Sequence, residues 1–127
     1  MSKVLNIISV AYRATLEEQD DTIVWLTHAL KGAGADIDVL LRGNAVNYPV
    51  RGQDASGLSF GGKAQTQPPQ IASDIAKLVG KGVRVLVCAE DVAERGLHAG
   101  ELIEGVELVE RGDLPALLAG YDHVWHW

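Results

Sequence analysis

A single cysteine, Cys88, stands in the stretch RVLVCAEDVAERGL at 84–97, where an apolar run gives way to charge. The thiolate is the nucleophilic form of cysteine, so its surroundings decide what Cys88 can do. At the last residue of a strand, with a helix starting directly after, free backbone N–H groups and the positive helix end favour a thiolate. Glu90 and Asp91 oppose it with negative charge close by. Two readings stand open on these residues: a small buried hydrophobe, the common fate of a free cysteine, or a thiol presented for chemistry. His98, ten residues on, is a base or hydrogen-bond partner if it approaches the thiol, and otherwise a solvated loop histidine.

Other chemistries find less support. After the first apolar run comes SVAYRATLEEQ, which holds neither G-x-G-x-x-G nor G-x-x-x-x-G-K-[ST], so dinucleotide and P-loop readings are weak. GLSFGGKAQ offers a Gly-Gly-Lys to an anion but opens no helix, and reads as a flexible loop. His123 and His126 are three apart in an expected strand, where side chains alternate between faces, so the pair is a poor zinc site. No G-x-S-x-G elbow points to a serine hydrolase. The sequence thus predicts neither a metal nor a cofactor.

The elements that must position Cys88 are legible from periodicity. Residues 3–10 read as a strand with apolar residues on both faces, the pattern of a strand covered on each side. From Glu18 to Ala33, Ile23, Leu26, Thr27 and Leu30 recur at helical spacing behind the acidic EEQDD, and Gly32 and Gly34 end the run. DIDVLLRG (36–43) and GVRVLVC (82–88) are further strands. Between them PQIASDIAKLVGKG predicts a helix with Pro69 in its first turn and Gly80 and Gly82 at its end. A short helix follows Cys88. VELV (106–109), a short helix around Leu114–Leu118 with Pro115 in its first turn, and DHVWHW (122–127) complete the alternation.

Strands alternating with helices build βαβ units and a mostly parallel sheet. The expected fold is a three-layer α/β/α sandwich, Rossmann-like or flavodoxin-like, with about five strands. In such sheets ligands sit outside the carboxyl ends of the strands near a topological switch point, and Cys88 lies at one of those ends. Residues 44–68 break the pattern with four glycines and two prolines over about 25 residues, and read as a long loop within a single domain spanning 1–127.

The chain is long enough to bury roughly two-thirds of its unfolded surface, so one domain needs no disulfide staple. Its 47% hydrophobic and 22% charged residues are ordinary for a globular protein, and a net charge of −6 excludes the basic footprint of nucleic-acid binding. No apolar run approaches the ~18 residues of a membrane span, and the short apolar start lacks a signal peptide's features. One cysteine fits a reducing cytoplasm.

Three segments together resemble the DsrE-like family of small sulfur-relay proteins: LLRGNAVNYPVRGQ after the second strand, VCAEDVAERGL around the cysteine, and ELIEGVELVERGDLPALLAGYDHVWHW toward the end. Family members carry a cysteine at a strand end, eight residues before the glycine of an Arg-Gly pair, and Cys88 with Arg95-Gly96 matches that spacing. The resemblance implies that Cys88 is a persulfide-carrying thiol, with Asp91, Arg95, Gly96 and His98 as supporting positions. Many single-chain relatives have a second cysteine where this chain has Asp91, which removes a redox role built on a cysteine pair but leaves single-thiol sulfur carriage intact. The resemblance further implies sulfur donor and acceptor proteins as partners, and a homo-oligomer, commonly a trimer or hexamer, or a mixed ring with paralogous subunits. The terminal VWHW carries apolar surface that either packs within the monomer, the simpler reading, or is left for another subunit to cover. The expected function is that of a cytoplasmic sulfur carrier or sulfurtransferase. The alternative is a non-catalytic oligomeric or small-ligand-binding module of the same fold in which Cys88 packs inertly, and accessibility of the thiol separates the two.

Overall fold

The structure is a computed structural model and describes residues 2–12, 21–53 and 56–127. In chain order its elements are β1 (Lys3–Ile8), α1 (Thr22–Gly32), β2 (Asp36–Leu41), a 3-10 helix (Gly43–Asn47), β3 (Ser59–Phe60), β4 (Lys63–Ala64), α2 (Ile71–Gly80), β5 (Val85–Cys88) and α3 (Ala89–Glu94). A 3-10 turn (Ala99–Glu101), β6 (Glu107–Val109), a second turn (Arg111–Asp113), α4 (Leu114–Ala119) and β7 (His123–His126) follow. Five strands form one parallel sheet in the order β6-β5-β2-β1-β7. This is the expected α/β architecture.

Alternation along the central strands sorts the core onto two faces. Ile8, Val39, Leu41, Val85 and Val87 pack with Ile23 and Val24 of α1 and Ile71, Ile75 and Leu78 of α2. Leu5, Ile7, Leu40 and Leu86 face the other way, against Leu114 of α4. Each fully buried Leu or Ile contributes roughly 1.5–3 kcal/mol over its exposed state, so these two sets fix the register of the sheet.

The expected start of α1 at Glu18 and most of the acidic EEQDD lie outside the described residues. Asp21 is the N-cap: its Oδ1 accepts from the Ile23 and Val24 N–H groups at 2.8 and 2.9 Å, a cap of about 1 kcal/mol. Its other oxygen accepts from the Tyr48 hydroxyl, which ties the start of α1 to the segment after β2. On β1, fully buried Asn6 donates to Thr27 Oγ1 and accepts from Trp127 Nε1, joining α1 and the end of the chain to the sheet centre. The second helix begins at Ile71, with Pro69 just ahead of its N-cap Gln70.

Residues 44–68 are not one irregular loop. Ala45, Val46 and Tyr48 of the 3-10 segment are fully buried. Val50 bridges to Leu102, and the Arg51 N–H donates to the Glu101 carbonyl at 2.8 Å. The glycine-rich GLSFGGK forms the β3–β4 hairpin. Hydrophobic periodicity is silent here because the segment is built from a 3-10 turn and two-residue strands, which are too short to show a period.

Candidate functional site

Cys88 ends β5 and is the N-cap of α3. It is fully buried. The 3-10 helix Gly43–Asn47 contacts both β5 and α3 and lies over this junction. The thiol donates toward Glu90 Oε1 at 4.0 Å, and it lies near enough to the Asp91 carboxylate to help hold that group ionised.

Asp91 is the hub of the site. Only 7% exposed, its carboxylate accepts from the Gly43 N–H at 2.8 Å through one oxygen and from Arg111 Nη2 at 2.8 Å through the other. Burial pushes its carboxyl up, but the bonds from Gly43, Arg111 and Cys88 outweigh that and hold it below the usual carboxylate range. Gly43 is glycine for a geometric reason: its φ is +55°, and a Cβ there would lie 3.1 Å from the Ser9 carbonyl oxygen. That conformation aims its N–H at Asp91.

Arg111 closes the site from the turn after β6. Its Nη2 also reaches Glu94 at 3.2 Å, and its backbone N–H donates to both oxygens of Glu90 at 2.9 and 3.0 Å. Asp91 and Glu94 hold its guanidinium protonated even more firmly than usual.

Arg95 does not approach the thiol by any described hydrogen bond. Its guanidinium donates to Asn44 Oδ1 at 3.1 and 2.9 Å and to the Asp91 carbonyl at 3.2 Å, fastening the 3-10 helix to α3. Gly96 terminates α3 with φ +69°. Its N–H donates to the Ala93 carbonyl and that of Leu97 to Val92, the paired bonds of a left-handed helix end. His98 is exposed and opens the next 3-10 turn, its N–H donating to Glu101 Oε1 at 3.1 Å. No described hydrogen bond links it to Cys88.

Cys88 and Asp91 therefore meet directly, Arg95 and Gly96 shape the surrounding backbone, and His98 stands apart as a turn residue. The sequence reading missed Arg111, Gly43 and Asn44. A signal for Arg111 was present: VELV and GVRVLVC were both read as strands, and if they are parallel neighbours the ERGD that follows the first must sit beside the cysteine that ends the second. The topological switch point lies elsewhere, between β1 and β7, with β2 and β1 separating it from Cys88's strand. There Ser9 Oγ and His126 Nε2 share a hydrogen bond of 2.9 Å.

Among the described residues no group of three or more His, Cys, Asp or Glu side chains is arranged to hold a metal ion, and no helix is long and apolar enough to cross a membrane. No protein of curated function matches the chain by sequence. The ychN protein from E. coli superposes with a TM-score of 0.76 at 22% identity, covering 100% of both chains. MTH1491 from Methanobacterium thermoautotrophicum, a protein of unknown function, superposes with a TM-score of 0.62 at 17% identity, over 98% of this chain and 99% of its own. These likenesses establish the fold. The model of the DsrE/DsrF-like family matches residues 6–126, nearly the whole chain, and the protein belongs to that family.

Proposed function

We propose that the protein is a cytoplasmic sulfur carrier that holds sulfane sulfur as a persulfide on Cys88. The observation that carries the reading is the placement of the sole thiol of a DsrE/DsrF-like chain at the carboxyl end of a parallel strand, one helical turn before an ion-paired carboxylate. Loading is a thiol exchange: the Cys88 thiolate attacks the outer sulfur of a donor persulfide, the donor S–S bond breaks, and the donor leaves as a thiolate. Unloading repeats the step with an acceptor thiolate, and neither transfer needs a net oxidant. Because Cys88 is fully buried, the donor reaches it only when the cover of 3-10 helix and α3 parts. Arg95 with Asn44, and Asp91 with Gly43, are the fastenings of that cover.

A homo-oligomer, trimeric or hexameric, fits the exposed edge strand β7. Val124, Trp125 and Trp127 stand open there, beside a groove of about 610 Å³ between β7 and the Leu26 and Leu30 side of α1. An exposed sheet edge that carries apolar side chains invites pairing.

The second reading, an inert cysteine in a binding module, draws on the same full burial. Incubation with a persulfide donor followed by mass spectrometry separates the two. The carrier gains about 32 Da per sulfur atom on Cys88, and Cys88→Ser gains none. Wild type that stays at its starting mass while a known carrier loads in parallel leaves the inert reading.

A further inference from the structure

The thiol sits among negative charge. Glu90 Oε1 lies 4.0 Å from Sγ, Asp91 follows one helical turn after Cys88, and Glu94 is on the next turn of α3. A thiolate formed there adds a further negative charge beside these carboxylates, an arrangement that a neighbouring cation can offset. The charged groups around the junction resolve this unequally. Arg95 spends its donors on Asn44 and a backbone carbonyl. Arg42, at the entry to the 3-10 helix, forms no ion pair among the described residues. Glu110 and Asp113 flank Arg111 on the exposed turn. Arg111 alone touches all three carboxylates, through its guanidinium to Asp91 and Glu94 and its backbone N–H to Glu90.

We propose that Arg111 is a positioning residue for Cys88: by neutralising Asp91 and Glu94 and fixing Glu90, it lets a thiolate form among them. It acts through the carboxylates rather than on the sulfur. The inference rests on the carrier reading only in that both use the thiolate. On ionisation the S–H bond breaks and its proton passes to water. The thiolate then attacks the outer sulfur of a donor or, in a test, displaces iodide from iodoacetamide with formation of an S–C bond.

The test is the rate of Cys88 carboxamidomethylation as a function of pH, read by mass spectrometry on the full chain. Opening of the buried site scales the rate at every pH, so the midpoint of the profile, not its plateau, reports ionisation. Arg111→Gln raises the midpoint by about one pH unit, the size of one charge lost beside a thiolate near a surface. Arg111→Lys moves it less, because the charge is kept, and Arg111→Gln combined with Asp91→Asn returns it toward wild type. Glu94→Gln, a change on an exposed side chain, lowers the midpoint in a protein whose fold is not at risk. An unmoved midpoint in folded Arg111→Gln overturns the proposal. Should that variant fail to fold, an unmoved or raised midpoint in Glu94→Gln overturns it instead. Persulfide loading is scored separately: a shifted profile in a protein that never accepts sulfur sinks the carrier reading and keeps this one, and loading without a shift does the reverse.

Discussion

Removing the Asp91 carboxylate tests whether this residue holds the site shut as well as charged. In Asp91→Ala the Gly43 N–H, part-buried and bonded to Asp91 at 2.8 Å, loses its acceptor. A bond to a charged group contributes about 1.5–3 kcal/mol, and a stranded buried donor costs about 1–3 kcal/mol, two overlapping accounts of the same loss. The Arg111 partner is 45% exposed at its side chain, so solvent screening leaves that pair a minor share. The expected destabilisation is about 2–4 kcal/mol. For a chain of 127 residues at about 2.1 cal/mol/K per residue, each kcal/mol moves Tm by about 4 °C, which gives a drop of about 8–15 °C. Asp91→Asn keeps an oxygen for Gly43 but loses the charge and the second oxygen, which accepts from exposed Arg111, so its drop is about half as large. The folded carboxyl titrates below its unfolded value, which is about 3.9. Its charge-dependent stability is therefore fully present above the unfolded value and is lost as pH falls through the lower folded one. Calorimetry at one protein concentration should find the gap between wild type and Asp91→Asn constant from pH 7 to about 5, narrowing below about 4. A gap that persists at the acid end, or equal losses in the Ala and Asn variants, would refute the reasoning.

Gly96→Ala meets open space but must hold φ +69°, so urea unfolding should show a loss of about 1–2 kcal/mol from backbone strain alone; no change would mean the helix end relaxes. Asn6→Leu strands Trp127 Nε1, now bonded at 2.8 Å, at about 1–3 kcal/mol. A double-mutant cycle with Trp127→Phe should return a coupling of about 1 kcal/mol, and strict additivity would show that the two side chains act independently. Glu107→Gln breaks an ion pair with Arg84 whose side chains are 48% and 46% exposed, so its denaturation midpoint should correspond to a loss below about 1 kcal/mol. In solution, light scattering should give a multiple of 13.6 kDa, and Trp125→Glu on the open edge strand should shift it toward one chain; a wild-type mass of one chain removes the oligomer.

The sequence by itself determined the main strands and helices and the fold class. Near-continuous Val, Leu and Ile runs at 3–8, 36–41 and 85–88 can only be strands covered on both faces, and helical spacing between them forces crossovers and a parallel sheet. These are local signals, readable from a few turns or residues of pattern. The position of Cys88 at a strand end followed from the same signals, as did the closeness of Asp91 one helical turn later. Strand order did not, because which strands become neighbours is decided by packing across the whole sheet. Only that order sets β6 beside β5 and so brings Arg111 to Asp91, and it also puts the switch point at β1 and β7, away from the cysteine. Burial was equally out of reach: a 3-10 turn leaves no periodic trace, yet it is Gly43–Asn47, fastened by Asp91 and Arg95, that lies over the β5–α3 junction where the thiol is buried. Spacing along the chain put the cysteine at a strand end, and contacts between residues far apart in it decided the charge and cover that surround it.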